Sequence, residues 1–166
     1  ILHPSMVKDA KALERFMRES RLLVEFDHPN LVKGLDCGRH GPLAWVAMEL
    51  LEGDSAQDVL DRAKSIKEAR SLEIILEAAK ALEYMQSKGI VHRDIKPGNI
   101  MLLKDGRIIV CDLGFAQPIR DGVVKEEEET TSGTAQYMSP EQARGQSIDA
   151  RADIYSLGAT LYHMVM

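Results

Sequence analysis

His92-Arg93-Asp94-Ile95-Lys96-Pro97-Gly98-Asn99 is the stretch on which the reading of this chain turns. Eight residues hold an acid, two bases and an amide. They follow Gly89, which ends a helical pattern. They precede two short apolar segments, Ile100 to Leu103 and Arg107 to Cys111, joined by Lys104-Asp105-Gly106. Asp-Gly between such runs is a strong hairpin signal. Asp112-Leu113-Gly114 comes next, thirteen residues after Asn99. A hairpin with Asn99 at one foot and Asp112 at the other can bring both side chains to one point. Their oxygens are hard donors, suited to Mg²⁺. Asp94 is then a spare carboxylate, free to act as a base, and Lys96 is a point charge suited to phosphate. Taken singly, Asp94, Asn99 and Asp112 are also what turns and caps use. Their combination is what points to chemistry.

Outward from that stretch, periodicity supplies a frame. Glu68 to Lys88 predicts the best helix, with Leu72, Ile75, Leu76, Ala79, Leu82 and Met85 as its core stripe. Asp9 to Phe26 predicts another, ended by the Asp27-His28-Pro29-Asn30 turn. Leu31 to Cys37 and Leu43 to Leu50 read as strands joined through Gly38, Gly41 and Pro42. Glu52 to Ser55 reads as a connector with helix-start chemistry, and a short helix to about Ile66 follows. Asp112 to Pro140 shows no period, and so long an irregular stretch inside a compact domain is usually functional. From Ala150 onward the pattern is helical and apolar. Cys37-Gly38-Arg39-His40 offers a metal-like pair, but no second pair completes a zinc site, and it reads as a loop.

Composition bounds the possibilities. The 166 residues are 45% apolar and 28% charged, which suits a globular protein and excludes a disordered one. Twenty-one basic and 26 acidic residues leave a net charge of −5, so the basic footprint of a nucleic-acid binder is missing. No apolar run reaches the roughly 18 residues of a membrane helix. Two cysteines make no disulfide framework, and a reducing, cytoplasmic setting is the expectation for this segment. The chain starts at Ile1 and stops within an apolar helical pattern, so it reads as a piece of a longer protein, whose remainder could carry a membrane anchor.

The ordered motifs resemble those of the eukaryotic-type serine/threonine protein kinases, in particular the bacterial subgroup. His92 to Asn99 resembles the catalytic loop and Asp112-Leu113-Gly114 the metal-binding triplet. Ser139-Pro140-Glu141 resembles the triplet that closes the activation segment. Asp153 to Gly158 resembles the start of the central helix of the large lobe. The resemblance covers essentially the whole chain. It implies an α+β, protein-kinase-like two-lobe fold, truncated at both ends. Residues 1–51 would be part of the small β-rich lobe and residues 52–166 most of the helical lobe.

Position by position, the resemblance implies roles. Asp94 would orient the substrate hydroxyl and take its proton. Lys96 would neutralise the transferring phosphoryl, and Thr134 would brace both. Asn99 and Asp112 would hold Mg²⁺ against ATP. Glu19 resembles the helix glutamate that pairs with the ATP-anchoring lysine. Met48 resembles the gatekeeper, and the backbone carbonyl of Glu49 and N–H of Leu51 the hinge contacts to adenine, with Met101 beneath the ring. Leu23, His92, Leu113 and Asp153 resemble the column that links the lobes. Lys96 two residues after Asp94 is the serine/threonine pattern, so protein hydroxyls are the implied acceptors. A dimer that autophosphorylates in the full protein is consistent with the family.

Some positions depart from the pattern. Leu113 replaces Phe and Ser139 replaces Ala, both mild. The Gly-rich loop and the strand lysine are not in this sequence, and the expectation is that the chain begins just after that lysine. Their absence leaves a non-catalytic binding module, a pseudokinase, as the alternative. The isolated piece is expected to be inactive. Glu126 to Glu129, followed by Thr130, Thr131 and Ser132, stands where relatives carry phosphorylated threonines. The acidic run would then substitute in part for phosphate, or be only a solvated loop.

Overall fold

The computed structural model describes residues 1–2, 9–41, 43–114, 116–119, 123–124 and 134–166. The run from Glu126 to Ser132 lies outside the described residues. Helix α1 spans Ala10–Glu25. The Asp9 carboxylate caps it, accepting from Lys11 N at 2.9 Å and Ala12 N at 3.3 Å. Strands β1 (Gly34–His40) and β2 (Leu43–Met48) form an antiparallel ribbon against α1. Gly34 permits that approach: a Cβ there would lie 2.6 Å from the Leu23 carbonyl.

β1 starts later than the sequence suggests and runs through Gly38 to His40. Residues 31–32 are drawn off by another partner: Val32 N donates to the Val110 carbonyl at 3.0 Å. Cys37 to His40 is therefore strand, not loop. Two residues three apart on a strand face opposite sides, so Cys37 and His40 do not converge on a metal.

The connector at residue 53 is also a strand. β3 (Gly53–Ser55) pairs with β5 (Ile100–Leu103), which pairs with β6 (Ile108–Val110), all antiparallel. Gly106, at φ 92°, makes the tight β5–β6 turn. Ser55 then opens α2 (Ala56–Ala63) through a reciprocal capping box with Asp58. α3 (Glu68–Ser87) is the long helix. Its core face differs from the expected stripe: Ser71, Ile74, Ala78, Ala81, Leu82 and Met85 are buried, whereas Leu72 and Leu76 are 50% and 58% exposed. The small side chains Ala78 and Ala81 let α3 lie close against its neighbours, and Leu72 and Leu76 fall off that face. β4 (Ile90–Val91) pairs with β7 (Gln117–Pro118). α4 (Pro140–Ala143) is capped by Ser139, and α5 (Arg151–Val165) packs on α3.

One apolar cluster joins these parts: Leu23 of α1 and Phe26 just after it, Ile74 and Met85 of α3, Ile95 of the loop, Ile100 of β5, Ile109 of β6 and Leu157 of α5. Burial of such side chains, each worth roughly 1.5–3 kcal/mol, seats the β5–β6 hairpin between helices. That hairpin carries Asn99 and Asp112 at its feet.

Candidate active site

The stretch from His92 to Asn99 leaves β4 and turns sharply. Arg93 takes a left-handed backbone, φ 74°, which residues other than glycine adopt only when held there. The Asp153 carboxylate on α5 does the holding. It accepts from His92 N and Arg93 N, each at 2.8 Å. Burial pushes the Asp153 carboxyl up, while His92, the two amide donors and Arg93 pull it back. The Arg93 carbonyl accepts from Gln142 Nε2 at 2.8 Å. A 3₁₀ turn over Pro97–Asn99 then returns the chain to β5.

Three predicted residues, Lys96, Asn99 and Thr134, come together on the next side chain. Asp94 is 4% exposed. Its Oδ2 accepts from Lys96 Nζ at 2.7 Å and Asn99 Nδ2 at 3.0 Å. Its Oδ1 accepts from Thr134 N at 2.9 Å and Thr134 Oγ1 at 3.3 Å. Lys96 Nζ also donates to Thr134 Oγ1 at 2.8 Å. A buried carboxylate is tolerable only with such partners. Asn99 Nδ2 spends its second proton on the Asp94 carbonyl at 2.8 Å. With the nitrogen turned inward, Oδ1 is the Asn99 atom outside these bonds.

At the other foot, Asp112 is exposed and left-handed, φ 62°. Its Oδ1 accepts from Gly114 N at 3.2 Å. Glu19 of α1 lies near enough to feel its charge. Burial pushes the Glu19 carboxyl up to about 7; Arg15 and Arg18 oppose the rise and Asp112 adds to it. Cys111 is pushed up to about 11, by burial and then by Asp112. Leu23, His92, Leu113 and Asp153 are all buried.

Met48 ends β2, Glu49 and Leu51 lie on the connection from β2 to β3, and Met101 lies on β5. Met48 is exposed and Met101 is half-buried, opposite Ile109. The Glu49 side chain is an anchor. Oε1 accepts from Lys33 N at 2.8 Å, and Oε2 pairs with Arg107 at 3.4 Å. Among the described residues, the Glu49 carbonyl and Leu51 N–H enter no backbone hydrogen bond.

Sequence reasoning did not single out Gln142 or Arg107 as braces. A buried glutamine on a four-residue helix gives no periodic signal, and Arg107 sits in a turn. Chemically, the arrangement offers a fixed carboxylate beside a cation and two oxygen donors on one hairpin. Among the described residues no helix is long and apolar enough to cross a membrane.

Known proteins with the same pattern place the chain. The protein kinase domain family matches residues 2–166. The chain is 38% identical to the serine/threonine-protein kinase PknB of Mycolicibacterium smegmatis over 170 residues, which is 99% of this chain and 27% of that protein. It is 37% identical to PknB of Mycobacterium leprae, with 99% and 27% covered. It is 36% identical to the probable serine/threonine-protein kinase SCO3848 of Streptomyces coelicolor, with 99% and 25% covered. The chain thus spans about a quarter of the length of the curated relatives it matches.

Proposed function

The chain belongs to the protein kinase domain family, and from that premise we propose that the protein containing it transfers the γ-phosphoryl of ATP to serine or threonine hydroxyls of proteins, a second copy of itself included. The observation that carries this reading is the Asp94 carboxylate, fixed on both oxygens by Lys96, Asn99 and Thr134. Residues 1–51 and 52–166 are assigned to parts of the small and large lobes. ATP chemistry and two free cysteines suit a cytoplasmic setting for the domain.

The donor set fits a divalent cation. Asn99 offers Oδ1 because its nitrogen is engaged inward, and Asp112 offers an exposed carboxylate. Both are hard oxygen ligands. These two residues would hold Mg²⁺, which when bound neutralises phosphate charge. The Glu49 carbonyl and Leu51 N–H would hold adenine, with Met48 and Met101 at its edge and face.

The chain's own residues then divide the work. Asp94 orients the acceptor hydroxyl and receives its proton on a carboxylate that cannot swing away. Lys96, paired to Asp94 yet partly exposed, offers positive charge to the phosphoryl oxygens. Thr134 holds Asp94 and Lys96 in one geometry. Glu19 is assigned to pairing with the lysine that anchors ATP. Placement and charge supply most of such catalysis, because the transferring group needs little covalent help. Intact Asp94, Lys96, Asn99 and Asp112 speak against a non-catalytic module.

Asp94→Asn in the full-length protein tests the reading. Transfer of labelled phosphate from ATP to a generic protein substrate should fall by about 10²–10⁴-fold, with ATP affinity little changed. Undiminished transfer would falsify it.

A further inference from the structure

Gln142 links the closing end of the activation segment to the peptide from which the Asp94 side chain departs. It is fully buried on α4, and it donates from Nε2 to the Arg93 carbonyl at 2.8 Å. That carbonyl belongs to the Arg93–Asp94 peptide. A peptide unit is planar, so fixing its oxygen also fixes the nitrogen of Asp94. The same unit is held on its far side, where Asp94 N donates to His92 Nδ1 at 3.3 Å. The residue before it, Arg93, has the left-handed backbone that must be held by its surroundings. Asp153 grips the Arg93 N–H, and Gln142 grips the Arg93 carbonyl.

We propose that Gln142 is a positioning residue for phosphoryl transfer: it locks the Arg93–Asp94 peptide plane and thereby aims the Asp94 carboxylate. The inference rests on the phosphoryl-transfer reading of the site. It also explains how the segment from Thr134 to Ala143 reports on the catalytic loop. Among the described residues, the segment bonds the loop through Thr134, on the Asp94 carboxylate and on Lys96 Nζ, and through Gln142, on the Arg93 carbonyl. Ser139, buried itself, caps α4 and so fixes where Gln142 emerges.

Two variants of the full-length protein test the brace. Gln142→Met keeps the volume and removes the donor. It should lower kcat by about ten- to a hundredfold and leave the KM for ATP within about twofold. Gln142→Glu keeps the shape, but only its protonated carboxyl can donate to the Arg93 carbonyl. Its turnover relative to the unsubstituted protein should therefore rise as pH falls, while the same ratio for Gln142→Met stays flat. Unchanged kcat in Gln142→Met overturns the proposal. If that variant does not fold, the Gln142→Glu ratio decides, and a flat ratio overturns it. If the unsubstituted protein transfers no phosphate, the kinase reading fails. The brace is then judged by amide hydrogen exchange. Faster exchange of the Asp94 amide in Gln142→Met, with α3 unchanged, supports it, and equal exchange overturns it.

Discussion

The two feet of the β5–β6 hairpin carry the two candidate metal donors, yet they are built in opposite ways. Asn99 is buried and tied into Asp94 by both protons of its amide. Asp112 is exposed and, among the described residues, bonds within its own turn, through Gly114 N. One foot is charge-balanced, with Lys96 against Asp94. The other sets two carboxylates, Asp112 and Glu19, close enough to repel, with Arg15 and Arg18 beside Glu19 opposing that repulsion. The difference teaches that the Asn99 side of the candidate site is finished by folding, while the Asp112 side keeps an exposed carboxylate, as the proposed Mg²⁺ role requires.

The largest test of that contrast sets the two feet against each other. Asp112→Asn preserves the left-handed turn, which Asn tolerates, and removes the charge. Activity of the full-length protein should drop by about a hundredfold or more, and stability should move by no more than about 0.5 kcal/mol. Asn99→Ala should cost activity too, but with about 1–3 kcal/mol of stability, because the buried Asp94 loses a donor. Thermal melts and transfer assays on both variants check this. Equal stability losses at the two feet would break the comparison.

A smaller effect is expected within the finished foot. Thr134→Val keeps the backbone bond to Asp94 and removes Oγ1, which Lys96 uses at 2.8 Å. Lys96 keeps its bridge to Asp94, so kcat should fall by only about three- to tenfold. Thr134→Ser should restore most of it. A loss as large as that of Asp94→Asn would show that the hydroxyl, not the carboxylate, organises this foot.

The sequence disclosed these parts unevenly, for physical reasons. The hairpin was legible because Asp105-Gly106 encodes its turn locally, and Asp94, Lys96 and Asn99 lie within six residues of one another. Thr134 entered only by resemblance, since nothing local ties it to Asp94, 40 positions away. Gln142 left no trace at all. β3 was missed because its three residues owe their extended form to β5, far along the chain. The face of α3 was misjudged because Leu72 and Leu76 have the right spacing but the wrong side. Close packing at Ala78 and Ala81 chose the neighbouring stripe. Periodicity gives the pitch of a helix, and only its partners decide which stripe is buried.

The smallest expected effect probes the unfinished foot through pH. Glu19 has its carboxyl pushed up to about 7, mainly by burial, with Arg15 and Arg18 opposing and Asp112 adding. Its unfolded value is that of an ordinary glutamate, near 4.5. Between those values the folded state binds more protons than the unfolded one, so stability declines as pH rises through the window. The Glu19 contribution is favourable at pH 5 and lost by about pH 8. Glu19→Gln removes the titration, so it should raise the melting temperature of the 166-residue chain at pH 8 and leave it nearly unchanged at pH 5. Asp112→Asn should shallow the same pH slope, because it withdraws one of the charges that raise Glu19. Slopes that are identical in all three proteins would mean that the carboxylates at this foot do not sense each other, and the contrast between the two feet would lose its electrostatic half.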